Sequence, residues 1–165
     1  LTFVGTGNFI GTGNASDNII TGGAGNDTLR GGGGADQFIG GAGTDTVSYS
    51  DSGNQPVTIN TKTGINLGLA ADDTYVGIEI LQGGGGNDTF ISGAAVDTFD
   101  GSGGTDTVDY SGSSSAVDVN FLTGKGTGGD AQGDTYLGIE RVVGSAFNDT
   151  LTGYNPIHIL EGGAG

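Results

Sequence analysis

Single apolar residues return at every ninth position along three stretches of this chain. They are Leu29, Phe38 and Val47 in residues 22–48, Phe90, Phe99 and Val108 in residues 83–109, and Leu151 and Leu160 from residue 144 onward. Turn-forming residues separate each short apolar run from the next, as in "GGAGNDTLRGGGGADQFIGGAGTDTVS". This spacing predicts strands of about three to five residues punctuated by turns, and nowhere carries the periodicity or the caps of a helix. The expected fold class is all-β.

Two longer segments, 49–82 and 110–143, interrupt the nonapeptides, and each is 34 residues long. They resemble each other: "DTVSYS", "VTINTKTG" and "DTYVGIEIL" return as "DTVDYS", "VDVNFLTG" and "DTYLGIERV". One nonapeptide block plus one long segment repeats at 61 residues, so that Gly22, Gly83 and Gly144 are equivalent, as are Asp73 and Asp134, or Glu79 and Glu140. Self-similarity at a fixed period predicts a solenoid. The expected organisation is a degenerate repeat or cap over 1–21, modules over 22–82 and 83–143, and the truncated start of a third over 144–165, ending inside the turn "GGAG". In the long segments, Val57-Thr58-Ile59 and Val117-Asp118-Val119 alternate as strands, and "TYVGIEI" and "TYLGIER" form a further pair. The loops "KTGINLGLAADD" and "KGTGGDAQGD" are expected to protrude from one edge.

Composition changes the picture. Ile, Leu, Val and Phe supply 38 of the 165 residues, too few for a thick core. Nineteen acids against four bases give a formal charge of −15, so the compact state repels itself unless a cation binds. Arg30, Lys62, Lys125 and Arg141 cannot supply that cation, and the same imbalance argues against nucleic acid or an anionic membrane as partner. No apolar run is long enough to insert in a membrane, and "LTFVGTGN" lacks the pattern of a signal peptide. With no cysteine, neither disulfides nor thiolate-bound metal can staple the fold.

The nonapeptide itself reads G-G-x-G-x-D-x-U-x, with an apolar residue at U. Glycine at positions one, two and four permits positive φ and close backbone approach, so a six-residue turn can aim carbonyl oxygens inward. Position six adds a carboxylate at Asp27, Asp36, Asp45, Asp88, Asp97 and Asp106. Carbonyls and carboxylates are hard oxygen donors, suited to Ca²⁺ rather than to zinc or copper. The repeat "SGAAVDTFD" around Asp97 has drifted, and His158 stands at the aspartate position of "GYNPIHILE".

These residues resemble the RTX, or hemolysin-type, calcium-binding repeat, and the 61-residue unit with "GDTYLGIE" is similar to a form found in large secreted bacterial proteins of that family. The resemblance implies a right-handed parallel β-roll with two nonapeptides per coil and calcium between turns one coil apart. The earlier turn would give the carbonyls of positions two and four and its aspartate, and the later turn those of positions one and three and its own. On this chain the best set is Gly23, Gly25 and Asp27 with Gly40, Ala42 and Asp45. A second set is Gly84, Gly86 and Asp88 with Gly101, Gly103 and Asp106. A third begins at Ser145, Phe147 and Asp149 and continues at Gly162 and Ala164, without a second aspartate. A weaker one joins Asp36, Gly31 and Gly33 to an earlier turn that has Asn18 in place of aspartate. Asp97 has no consensus turn one coil away.

Other residues read more plainly. Asp72, Asp73, Asp130 and Asp134 are expected as solvated loop or turn-start residues, and the pairs Tyr49/Tyr110 and Tyr75/Tyr136 as packing. Asn26, Asn87 and Asn148 fit turns better than glycosylation. Glu79 and Glu140 are open between pairing with Arg141 and capping a bend. No G-x-S-x-G, H-E-x-x-H or phosphate loop occurs, and the lone His158 has no nucleophile beside it, so the segment is not expected to be an enzyme. The reading that follows is a calcium-folded structural segment of a larger secreted bacterial protein, extracellular or at the cell surface and exported by type I secretion, with calcium ions and flanking repeats as its partners. Two rivals stand beside it. One is an adhesin, surface-layer or self-assembling filament segment that binds a glycan, ice or another copy. The other is an accessory module of an extracellular polysaccharide-modifying enzyme or toxin.

Overall fold

The computed structural model describes residues 1–155 and 157–165. Each apolar residue at position eight becomes the buried centre of a short strand. The first block contains β1 (Ile10–Asn14), β2 (Ile19–Ala24), β3 (Thr28–Gly32), β4 (Gln37–Ala42) and β5 (Thr46–Ser48). The first long segment adds β6 (Thr58–Asn60), β7 (Thr74–Val76) and β8 (Ile80–Gln82). The second block and segment contribute β9 (Thr89–Ile91), β10 (Thr98–Asp100), β11 (Thr107–Asp109), β12 (Asp118–Asn120), β13 (Lys125–Thr127), β14 (Thr135–Leu137) and β15 (Arg141–Val143). Finally come β16 (Thr150–Thr152) and β17 (Ile159–Glu161). The only helical elements among the described residues are three single 3₁₀ turns in the long segments.

Strands this short cannot hold together locally, so they pair across coils. Within a block the paired residues lie 18 positions apart, Thr28 against Thr46, Ile19 against Gln37 and Thr89 against Thr107, all in parallel. Two nonapeptides therefore make one coil, and strands next to each other in sequence alternate between two sheets. Position-eight side chains stack into columns: Leu29 on Val47, Leu81, Phe99 and then Tyr136, and Ile59 on Phe90, Val108 and Val142. Leu29, Phe38, Val47, Phe90, Phe99 and Val108 are all fully buried. The core is a file of single side chains, and burying each contributes about 1.5–3 kcal/mol.

The long segments change which sheets face each other. The sheet β2-β4-β7 ends at β7, and its place opposite β1-β3-β5-β8-β10-β14 passes to β6-β9-β11-β15-β17. To start that new sheet the chain runs ahead to β6 before it returns to lay β7 on β4. One module later β12 pairs with β16, and β14 pairs with β10. The interruption now falls in the other sheet. Module-equivalent strands β4 and β10 thus lie in opposite sheets, because β6 and β7, consecutive in the chain, both stand opposite the β5-β8-β10 sheet and so break the alternation once per module.

The return path explains the one departure from an all-parallel solenoid. β13 runs antiparallel between β12 and β14, and Thr58 and Leu67 make the matching antiparallel bridge in the first segment. The two loops expected to protrude fold back instead: Ala70 and Ala131 are fully buried, and Asp73, Asp130 and Asp134 are buried with them. Solvated loop positions were expected there. The turn that brings the chain home needs an internal acceptor, and Tyr49 and Tyr110 supply the donors described below. Asp72 alone of the four stays exposed.

Candidate metal centres

Each acid at position six precedes its strand by one residue and reaches back one coil. Asp27 Oδ1 accepts the Phe9 N–H at 2.8 Å, Asp45 Oδ1 accepts that of Asp27 at 2.8 Å, and Glu79 Oε2 accepts that of Asp45 at 2.8 Å. A second column runs from Asn18 to Asp36 and Asp73, at 2.9 and 2.7 Å. A third runs from Val57 through Asp88 and Asp106 to Glu140, at 2.8, 2.7 and 2.9 Å. Asp134 accepts the Asp97 N–H at 3.0 Å, so Asp97 sits between Glu79 and Asp134 in the stack. Glu79 and Glu140 cap the coil before them, while Arg141 pairs with Glu161 at 2.7 Å.

One oxygen of each carboxylate is committed in this way, and the fate of the other divides the turns into two kinds. Among the described residues, Oδ2 of Asp27, Asp36, Asp45, Asp97 and Asp106 is buried without a hydrogen-bond partner. An ionised oxygen left so is costly unless a cation meets it. Four of these five lie in turns whose second position has positive φ: Gly23, Gly32, Gly41 and Ser102, followed at position four by Gly25, Gly34, Gly43 and Gly104. Asp88 and Asp149 lie in turns that lack this conformation, where the N–H of Gly84 or Ser145 donates to Oδ2 at 2.7 or 2.6 Å. Open turns leave a buried carboxylate oxygen free and the closed turns of Asp88 and Asp149 satisfy it, while Asp97 keeps a free oxygen in a turn without positive φ.

Glycine at position one makes room for that oxygen. A Cβ on Gly22 would overlap Asp27 Oδ2 and crowd the Gly40 carbonyl, and one on Gly31 would overlap Asp36 Oδ2. A cradle of carboxylate and carbonyl oxygens, with space a Cβ would fill, matches the donor set of Ca²⁺. Side chains alone do not make it: among the described residues no three His, Cys, Asp or Glu side chains gather at one point. Burial pushes Asp106 up to about 7 and Asp73 and Asp97 up to about 6, and raises Asp36, Asp45, Asp88 and Asp134.

The sets expected from sequence are placed as follows. Gly23 pairs with Gly41, and Gly25 donates to the Ala42 carbonyl at 2.8 Å, so turns 22–27 and 40–45 stack. Asp27 Oδ2 shares its cradle with Gly40, whereas Asp45 Oδ2 faces the following coil. In the second set the Gly101 carbonyl approaches the turn of Asp88, and Gly103 donates to Gly84 at 3.1 Å, but Asp88 has no free oxygen. In the third, Ser145 Oγ donates to Asp149 Oδ1 at 2.6 Å, the Phe147 N–H donates to Ser145 Oγ at 3.1 Å, and the Gly162 carbonyl lies over Gly144. In the fourth, Asn18 Oδ1 accepts the Asn14 N–H at 2.8 Å beside the Gly31 carbonyl, and Gly33 donates to Asn14 at 3.2 Å.

A family model described as the RTX calcium-binding nonapeptide repeat, in four copies, matches residues 12–47, 73–108 and 134–155. The chain belongs to the RTX repeat family. RTX nonapeptides are calcium-binding structural motifs rather than catalytic ones. No curated protein and no solved structure matches the chain. Two of the matched RTX stretches begin at Asp73 and Asp134, in the long segments where consensus nonapeptides are not apparent.

Those segments hold what the consensus did not reveal. Tyr49 Oη donates to Asp73 Oδ2 at 2.7 Å and lies 2.6 Å from Tyr75 Oη; Tyr110 repeats this on Asp134 and Tyr136, at 2.6 and 2.7 Å. Burial drives the Tyr49 and Tyr110 hydroxyls far above their usual range, which keeps them neutral donors. The signal was present as an acid two residues before an apolar residue: Asp73-Thr74-Tyr75 and Glu79-Ile80-Leu81 carry positions six and eight of a nonapeptide without its glycines.

Proposed function

We propose that this segment is a calcium-binding, calcium-folded structural repeat of a larger secreted bacterial protein, built from modules 22–82 and 83–143 and the start of another at 144. The observation that carries the reading is the set of buried carboxylate oxygens with no partner, at Asp27, Asp36, Asp45, Asp97 and Asp106. Extracellular calcium modules bind at about 10⁻⁴–10⁻³ M. At ten to a hundred times the dissociation constant, each independent site contributes about 1.4–2.7 kcal/mol. A few such sites rival the whole stability of a small domain, about 5–15 kcal/mol. Calcium therefore acts as a condition for folding: the chain stays open where calcium is scarce, inside the cell, and folds on export. Membership in a family typical of secreted bacterial proteins supports that setting and the type I route.

The test is a calcium titration of the chelated 165-residue chain followed by far-UV circular dichroism, with magnesium in parallel. A cooperative gain of β signal between micromolar and millimolar calcium, absent with magnesium, is the expected result. A chain already folded in chelator, or one that never responds to calcium, refutes the proposal.

A further inference from the structure

Two of the unpartnered carboxylate oxygens do not face a nonapeptide turn. Asp45 Oδ2 lies in a cradle closed by the carbonyl of Gly77, and Asp106 Oδ2 in one closed by the carbonyl of Gly138. In each case the two oxygens converge on the point that a Cβ of Gly40 or Gly101 would occupy. Asp45 is fully buried and Asp106 nearly so. The turns above them, Gly77-Ile78-Glu79 and Gly138-Ile139-Glu140, stand one coil later in register, Ile39 pairing with Val76 and Asp100 with Leu137.

These short turns take the place of a nonapeptide turn. Between the paired strands, residues 40–45 on one coil are matched by residues 77–79 on the next, so the upper turn is three residues shorter. A shorter path sets the acid further from the coil below, and glutamate has the extra methylene to span it. Glu79 Oε2 reaches the Asp45 N–H at 2.8 Å and Glu140 Oε2 reaches the Asp106 N–H at 2.9 Å, the bond an aspartate makes elsewhere in the stack. Positive φ at Gly77 and Gly138 turns the chain sharply enough to bring their carbonyls over Asp45 and Asp106. Below each cradle the turn is of the open kind, with Gly41 and Gly43, or Ser102 and Gly104, at positive φ.

We infer that Asp45 with Gly77 and Glu79, and Asp106 with Gly138 and Glu140, form a second class of calcium site that joins a nonapeptide turn to a three-residue Gly-Ile-Glu turn. The inference rests on the calcium reading above and extends it to turns outside the nonapeptide consensus. In each site the carbonyls of positions two and four of the lower turn complete the oxygen donors. Calcium there ties the end of one nonapeptide block to the strand that opens the next, β8 or β15. Each module thereby gains an ion at its junction.

The test counts ions. Wild-type chain and the double variant Glu79→Gln, Glu140→Gln are saturated with calcium and compared by equilibrium dialysis, with folding of both verified by circular dichroism. Glutamine keeps an oxygen for the Asp45 and Asp106 N–H groups while removing the charge. The expected result is two fewer ions per folded chain, or at least a tenfold weaker affinity for two of them, and Asp27→Asn serves as a nonapeptide-site control that loses one ion of the other class. An unchanged count and affinity in the double variant overturns the inference while leaving the calcium reading intact. A wild-type chain that binds no calcium overturns both. Where the double variant does not fold, a crystal structure of the calcium-loaded wild type decides: an ion touching Asp45 and the Gly77 carbonyl supports the site, and an ion-free cradle overturns it.

Discussion

At the scale of single residues, the glycine at position one and the aspartate at position six act as one unit. Gly22 has no side chain because Asp27 Oδ2 and the Gly40 carbonyl occupy that space. Gly7, three residues before the first strand, has nothing within 4 Å of a Cβ and no positive φ. The two therefore make a sharp comparison. Gly22→Ala forces the carboxylate or the neighbouring coil aside, a strain of about 1–3 kcal/mol, and blocks the cradle to calcium. Gly7→Ala stays within about 0.5 kcal/mol of the parent. Urea denaturation of both variants in saturating calcium measures the difference, and equal stabilities would mean that the space over Gly22 is not needed.

At the scale of elements, the strands are three to six residues long and owe their stability to the columns they form rather than to themselves. Phe99 shows the dependence: it is fully buried, stacked between Leu81 and Tyr136, and 5.2 Å from the ring of Phe90. With one side chain per strand in the core, no neighbour can fill its place. Phe99→Ala is expected to cost about 3–5 kcal/mol, seen as a higher calcium concentration at the folding midpoint in circular dichroism; an unshifted midpoint would contradict the column. Such columns were legible in the sequence wherever the period was nine, from Leu29 through Val108. The exchange of sheets at β6 and β7 was not. It follows from pairings 31–37 residues apart, Thr58 with Thr89, Thr46 with Ile80 and Gln37 with Thr74, and no local periodicity encodes those distances. The candidate sites divide in the same way. Asp27 and Asp106 announce themselves by the glycines before them, while Glu79 and Asp73 are recognisable only once the fold shows that an acid two residues ahead of a buried side chain does the same task without glycines.

At the scale of the whole molecule, nineteen acids against four bases give a formal charge of −15, and protons compete with calcium to neutralise the buried carboxylates. Burial holds Asp106 at about 7 and Asp73 and Asp97 at about 6, against 3.8 for a free aspartate. A carboxyl with a raised folded-state pKa binds more protons folded than unfolded between the two values, so without metal the stability rises as pH falls through that window. The metal-free chain, open at neutral pH, is therefore expected to gain β structure as the pH falls from about 7 toward 4, the reverse of a protein whose carboxylates are held in salt bridges. Calcium needs the same oxygens ionised, so its contribution shrinks over the same interval and the β signals with and without calcium converge. Far-UV circular dichroism at each pH, on protein stripped over a chelating resin and on protein in excess calcium, measures both curves. Asp106→Asn removes the carboxyl pushed up to about 7 and flattens the upper end of the metal-free curve. A metal-free chain that is folded at pH 7 and loses β signal on acidification to pH 5 would show that the buried carboxylates are already compensated by the protein itself, and calcium would then have no charge left to relieve.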